Sequence, residues 1–165
     1  GSNGDDIITG GDNDDTITGS AGADKLTGGG GADTLTGGAG SSGVGGNEFV
    51  FGPLAGIATQ TGITLETSDL ITDFGGLVGD RIDIGVAGTE ANYDEAGQVA
   101  DYATALNNAH TAFAGNSDLR YYLTSTAADG GLLFIEDGVH TAGVADALIV
   151  MTGVGSAGFD SSTII

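Results

Sequence analysis

Along the first 36 residues one large apolar side chain returns every nine positions: Ile8, Ile17, Leu26 and Leu35. Each sits inside a three-residue segment of the type x-apolar-x, such as TIT (16–18) or KLT (25–27). Side chains alternate across a strand, so such a segment forms a very short strand with one residue pointing inward. The stretches between them are rich in Gly and Asn, which tolerate positive φ and mark tight turns. Two repeats, 18 residues, then complete one coil of two strands and two turns. Stacked coils bury a ladder of Ile and Leu. The fold predicted for residues 1–51 is an all-β parallel β-roll of nonapeptide repeats.

Written in nines, the chain begins GSNGDDIIT, GGDNDDTIT, GSAGADKLT, GGGGADTLT. Position one is always Gly, position six always Asp (Asp6, Asp15, Asp24, Asp33) and position nine always Thr. The frame then slips. GGAGS (37–41) is a truncated unit, and SGVGGNEFV (42–50) restores the pattern with Asn47 at the Asp position and Phe49 at the apolar one.

Beyond residue 51 the periodicity changes. DLITDF (69–74) and DRIDIGV (80–86) alternate apolar and polar residues as strands do. LRYYLTS (119–125) and LLFIED (132–137) flank TAADGG, a hairpin signal, and DALIVMTGV (146–154) predicts a buried strand. The chain ends FDSSTII, with two apolar residues last. Between these, Val99, Tyr102, Ala103, Leu106, Ala109 and Phe113 follow helical spacing. They predict one helix over about 95–113, capped by Asn92 or Asp94 and stopped by Gly115. The domain organisation expected is a repeat unit (1–51) and a β-rich tail with one helix (52–165).

Charge turns this pattern into chemistry. The 165 residues carry 23 Asp and Glu against three basic residues, a formal net charge of -20. Such self-repulsion destabilises a compact state unless something neutralises it. Lys25, Arg81 and Arg120 make no basic patch, so nucleic acid is excluded as a partner, as is an anionic membrane surface. No apolar stretch is long enough to span a bilayer, and no secretory leader is recognisable. There is no Cys, hence no disulfide and no thiolate metal site.

Aspartates at position six of successive coils stack on the same side, about 4.8 Å apart. Two carboxylates at that distance repel by roughly 3–4 kcal/mol at an effective dielectric near 20. An ion midway lies about 2.4 Å from each, the Ca²⁺–oxygen distance, whereas Mg²⁺ demands a shorter one. Asp6 pairs with Asp24 and Asp15 with Asp33 in this scheme. Turn carbonyls brought close by glycine supply further oxygens.

The unit G-G-x-G-x-D-x-U-x resembles the calcium-binding repeat of the RTX proteins. The resemblance implies several Ca²⁺ ions, held by carbonyls at positions two and four and by the Asp at six. Carried over, these are Ser2, Gly4 and Asp6; Gly11, Asn13 and Asp15; Ser20, Gly22 and Asp24; Gly29, Gly31 and Asp33. Asn47 contributes a neutral oxygen in place of a charge. DLITDFGGLVGDRIDI is similar to the segment after the repeats in serralysin-type exoproteins, and the final strands resemble the same region. Asp69 aligns there with an aspartate capping the last calcium turn; its other reading is a strand-edge or turn residue. The layout also looks like the C-terminal end of Caulobacter-type surface-layer proteins. In these families the region ends in an uncleaved signal for the type I secretion machinery. Asp5, Asp12 and Asp14 are expected as solvated surface charge. Asp73, Asp80 and Asp83 are expected to make turns and surface hydrogen bonds, and Asp129 and Asp137 to be turn residues.

No catalytic arrangement is visible. His110 and His140 lie in no nucleophile elbow or metalloprotease motif, and the glycine runs lack the Lys of a phosphate loop. The expectation is a non-enzymatic, calcium-binding module of a secreted or cell-surface bacterial protein that folds on calcium after type I export. Two other classes stay open. One is a surface-layer or adhesin module that self-assembles through calcium. The other is an accessory module of an extracellular protease, lipase or alginate epimerase, the last with a polysaccharide as partner.

Overall fold

The computed structural model describes residues 1–39, 46–54, 57–75, 79–139, 143–152, 154 and 159–165. Predictions falling on 40–45, and that for His140, lie outside the described residues. The described chain is strand-rich with one helix. Its strands are β1 (Ile7–Thr9), β2 (Thr16–Ala21), β3 (Lys25–Thr27), β4 (Thr34–Ala39), β5 (Glu48–Val50), β6 (Asp69–Ile71), β7 (Arg81–Asp83) and β8 (Tyr93–Val99). After them come helix α1 (Tyr102–Gly115) and strands β9 (Tyr121–Thr126), β10 (Gly130–Ile135) and β11 (Ala147–Met151).

Successive short strands go alternately to two sheets. The first has order β1-β3-β5-β7, all parallel. The second has order β2-β4-β6-β11-β10-β9-β8 and is mixed. Strands β2, β4, β6 and β11 run parallel, β11 and β9 are antiparallel to β10, and β8 is parallel to β9.

The apolar position of each repeat falls into register. Ile8, Leu26, Phe49 and Ile82 align across the first sheet, and Ile164 bridges to Ile82. Ile17, Leu35, Ile71 and Met151 align across the second. These side chains share one buried cluster with Leu133, Ile135 and Ile149. Helix α1 covers the opposite face of the second sheet, packing Ala105, Ala109 and Phe113 against Leu132, Phe134 and Leu148.

The helix is shorter than its predicted span. Residues 93–99 form β8 instead, and Asp101 is the N-cap, accepting from the Thr104 amide at 2.8 Å. The register of β8 shifts between Glu95 and Gln98. That irregularity lets Ala96 and Val99, three apart, pack toward the same cluster, which reproduces a helical spacing inside a strand. Gly97 also disfavours a helix through this stretch, by about 1 kcal/mol. The helix runs to Gly115, and Asn116 closes it.

Candidate metal centre

The position-six residues stack in two columns bound by their own backbone. Within the first, the Asp6 amide donates to Asp24 Oδ1 (2.8 Å), the Asp24 amide to Asn47 Oδ1 (3.0 Å) and the Asn47 amide to Asp80 Oδ1 (2.7 Å). Within the second, the Asp15 amide donates to Asp33 Oδ1 (2.8 Å) and the Asp33 amide to Asp69 Oδ1 (2.7 Å). One carboxylate oxygen of Asp24, Asp33, Asp69 and Asp80 is thus committed to the neighbouring coil.

The other oxygen is not. Asp24, Asp33 and Asp69 are each 1% exposed, and their Oδ2 atoms are buried with no hydrogen-bond partner. Leaving a carboxylate oxygen in this state costs its desolvation energy. Burial accordingly pushes Asp33 above the ordinary carboxylate range, and Asp69 up to about 8. At the solvent-facing end Asp6 is held low, mainly by the Ser2 amide that bonds its Oδ2 at 2.5 Å. Asp15 Oδ2 accepts from the Gly11 amide at 2.7 Å.

These oxygens border hollows that exist because position one is glycine. A methyl on Gly1 would lie 2.6 Å from Asp6 Oδ2 and collide with the Gly19 carbonyl. On Gly10 it would lie 2.5 Å from Asp15 Oδ2 and collide with the Gly28 carbonyl. On Gly19 it would collide with Asp24 Oδ2 and lie 2.7 Å from the Gly37 carbonyl. Three equivalent slots result, each pairing a carboxylate oxygen with the position-one carbonyl of the next coil. Among the described residues no three His, Cys, Asp or Glu side chains converge. The donors that meet at each slot are a carboxylate oxygen and a backbone carbonyl. Hard oxygen donors of this kind suit Ca²⁺.

The carbonyls expected as ligands are distributed unevenly. Those of Gly4, Gly11, Asn13 and Ser20 lie against Gly22, Gly29, Gly31 and Gly38 of the next coil. Those of Ser2 and Gly11 already accept amides, from Ala21 at 3.3 Å and Gly30 at 2.8 Å. Ser20, Gly22, Gly29 and Gly31 all adopt positive φ, at 89°, 147°, 117° and 126°. Asn47 is 1% exposed, with its oxygen used by the Asp24 amide and its Nδ2 turned toward Gly37.

Sequence reasoning did not find the position-one carbonyls of Gly19, Gly28 and Gly37, since the resemblance placed the carbonyl ligands at positions two and four. It also missed the place of Asp80. Expected at the surface, Asp80 is 7% exposed and continues the first column, accepting from Asn47 and, at 3.0 Å, from Gly75. The signal was Asp two residues before a core Ile, at 69–71 and 80–82, the spacing of Asp24 and Leu26. Asp5 and Asp14 are exposed as expected, but each accepts a backbone amide of the next coil, from Ala23 and Ala32, both at 2.9 Å. Asp129 sits in the β9–β10 turn, bonded to Thr126.

Residues 1–26 and 9–44 match the RTX calcium-binding nonapeptide repeat, in 4 copies. The chain therefore carries an RTX calcium-binding module, and repeats of this class bind several Ca²⁺ ions. Such repeats are structural and occur in secreted bacterial proteins. No curated protein matches the chain. No described helix is long and apolar enough to cross a membrane.

Proposed function

We propose that residues 1–51 form a calcium-loaded parallel β-roll, that 52–165 is the tail on which it stacks, and that calcium met outside the cell completes the fold after export. The observation carrying this reading is the set of buried, unpartnered Oδ2 atoms on Asp24, Asp33 and Asp69. Asp6, Asp15, Asp24 and Asp33 supply carboxylate oxygens, the turn carbonyls supply neutral ones, and Asp69 ends the second column. When bound, the ions offset the carboxylate charge.

At low cytosolic calcium the repeats are held apart by like charge and stay open, which suits threading through a secretion channel. Extracellular modules bind calcium at about 0.1–1 mM. Because the unfolded chain holds no such site, binding free energy becomes folding free energy. The tail carries the address for the type I machinery, a role supported by its similarity to serralysin-type proteins. The test is a calcium titration followed by far-UV circular dichroism, with magnesium as control. A cooperative gain of β signal with calcium alone is expected. Full β signal after chelation at neutral pH would refute the reading.

A further inference from the structure

We propose that Asp73, outside the matched repeats, is a positioning residue that aims the Gly37 carbonyl into the slot beside Asp24; this rests on the calcium reading above. Gly37 and Gly38 lie in the second half of β4, after Thr36. Their two amides donate to one carboxylate, Gly37 to Asp73 Oδ1 at 2.9 Å and Gly38 to Asp73 Oδ2 at 2.7 Å. The Gly38 N–H and the Gly37 C=O belong to the same peptide unit. That unit is planar and trans, so its two polar groups point opposite ways. Fixing the N–H on Asp73 directs the carbonyl away from Asp73. The oxygen that results is the one bordering Asp24 Oδ2 across the hollow at Gly19.

The alignment is set by strand β6. Thr72 donates its amide to the Leu35 carbonyl at 2.9 Å, and the Thr36 and Thr72 hydroxyls meet at 2.8 Å. Asp73 is thereby delivered beside Gly37. Gly38 takes φ 90°, open to glycine, which lets β4 present both amides to one side chain. A carboxylate accepting an amide N–H also polarises that amide, making its carbonyl a better donor to a cation. Partners one shell beyond the ligands tune metal affinity by about 10–100-fold. Asp73 also lies just beyond β6, the strand joining the repeat ladder to β11, so filling this slot and docking residues 69–73 favour each other.

The experiment compares calorimetric calcium titrations of the wild type, Asp73→Ala, Asp73→Asn and Asp24→Asn. Thermal unfolding in chelator accompanies each. Asp73→Ala should weaken one site about 10–100-fold, leave the others unchanged and barely move melting in chelator. Asp73→Asn should fall between it and the wild type, because its amide oxygen still accepts one N–H. An Asp73→Ala isotherm equal to wild type, while Asp24→Asn loses a site, overturns the proposal. So does an unchanged isotherm with equal loss of melting temperature in calcium and in chelator. Should Asp73→Ala not fold, Asp73→Asn decides: a severalfold weaker site supports the proposal, and an unchanged isotherm overturns it. A wild type that binds no calcium at all would instead remove the reading on which the proposal stands.

Discussion

Strands β4 and β11 lie in one sheet with only β6 between them, yet they are held differently. In β4, Leu35 is buried while Thr34 and Thr36 stay partly open. In β11 every residue from Ala147 to Met151 is buried, one face on the shared core and the other under helix α1. Burial stabilises in proportion to apolar area, so a rung with a single inward side chain gains far less than a strand covered on both faces. The repeat ladder also carries buried, unpartnered carboxylate oxygens on Asp24, Asp33 and Asp69, a cost that β11 does not carry. A region with less apolar burial and an added charge penalty needs another source of stability, which a bound ion supplies under the proposed function.

The largest effects should come from the two cores. Leu26→Ala and Leu133→Ala both empty fully buried positions and should each cost about 2–5 kcal/mol in calcium, read by denaturant unfolding. They separate when calcium is varied. Leu26→Ala should raise the calcium concentration needed to order the repeats, whereas Leu133→Ala should cost the same at every concentration.

A smaller effect of mixed sign is expected at the carboxylates. Asp33→Asn should weaken calcium binding roughly tenfold or more, since affinity follows ligand charge. In chelator the same change should raise the melting temperature, because it removes a charge that burial disfavours.

A further effect is that of pH on the chelated protein. Burial lifts Asp69 from 3.8 to about 8. A folded value above the unfolded one gives stability that is full below 3.8 and is lost as pH rises toward 8. Melting temperature in chelator should therefore fall across that window, and Asp69→Asn should flatten the slope.

Much of this contrast was legible in the sequence. The nine-residue spacing of Ile8, Ile17, Leu26 and Leu35 fixes which side chains point inward, and the structure places them in two registered ladders. The ladders' continuation was harder to see. The unit ending at Thr72 keeps the Asp, the core Ile and the final Thr but has Thr64 in place of the position-one glycine, and the unit ending at Asp83 keeps Gly75, Asp80 and Ile82 but ends in Asp rather than Thr. Their membership is decided by pairing with distant strands, which no local pattern encodes. One rung further, the apolar ladder survives as Met151 while Ile149 stands at the Asp place. The Asp69 amide there turns to Thr61 Oγ1 at 2.8 Å instead. Strand β8 was misread because Val99, its last residue, falls in helical spacing with Tyr102, Ala103 and Leu106 of α1. The position-one glycine carbonyls escaped because the repeat pattern assigned the carbonyl ligands to positions two and four.

The most direct measurement is amide hydrogen exchange resolved along the chain, in calcium and in chelator. The account predicts that chelation strips protection from residues 1–39 while 119–126, 130–135 and 147–151 keep theirs. Equal protection of residues 1–39 in both conditions would contradict it, and the ladder of Ile and Leu would then suffice without the ion.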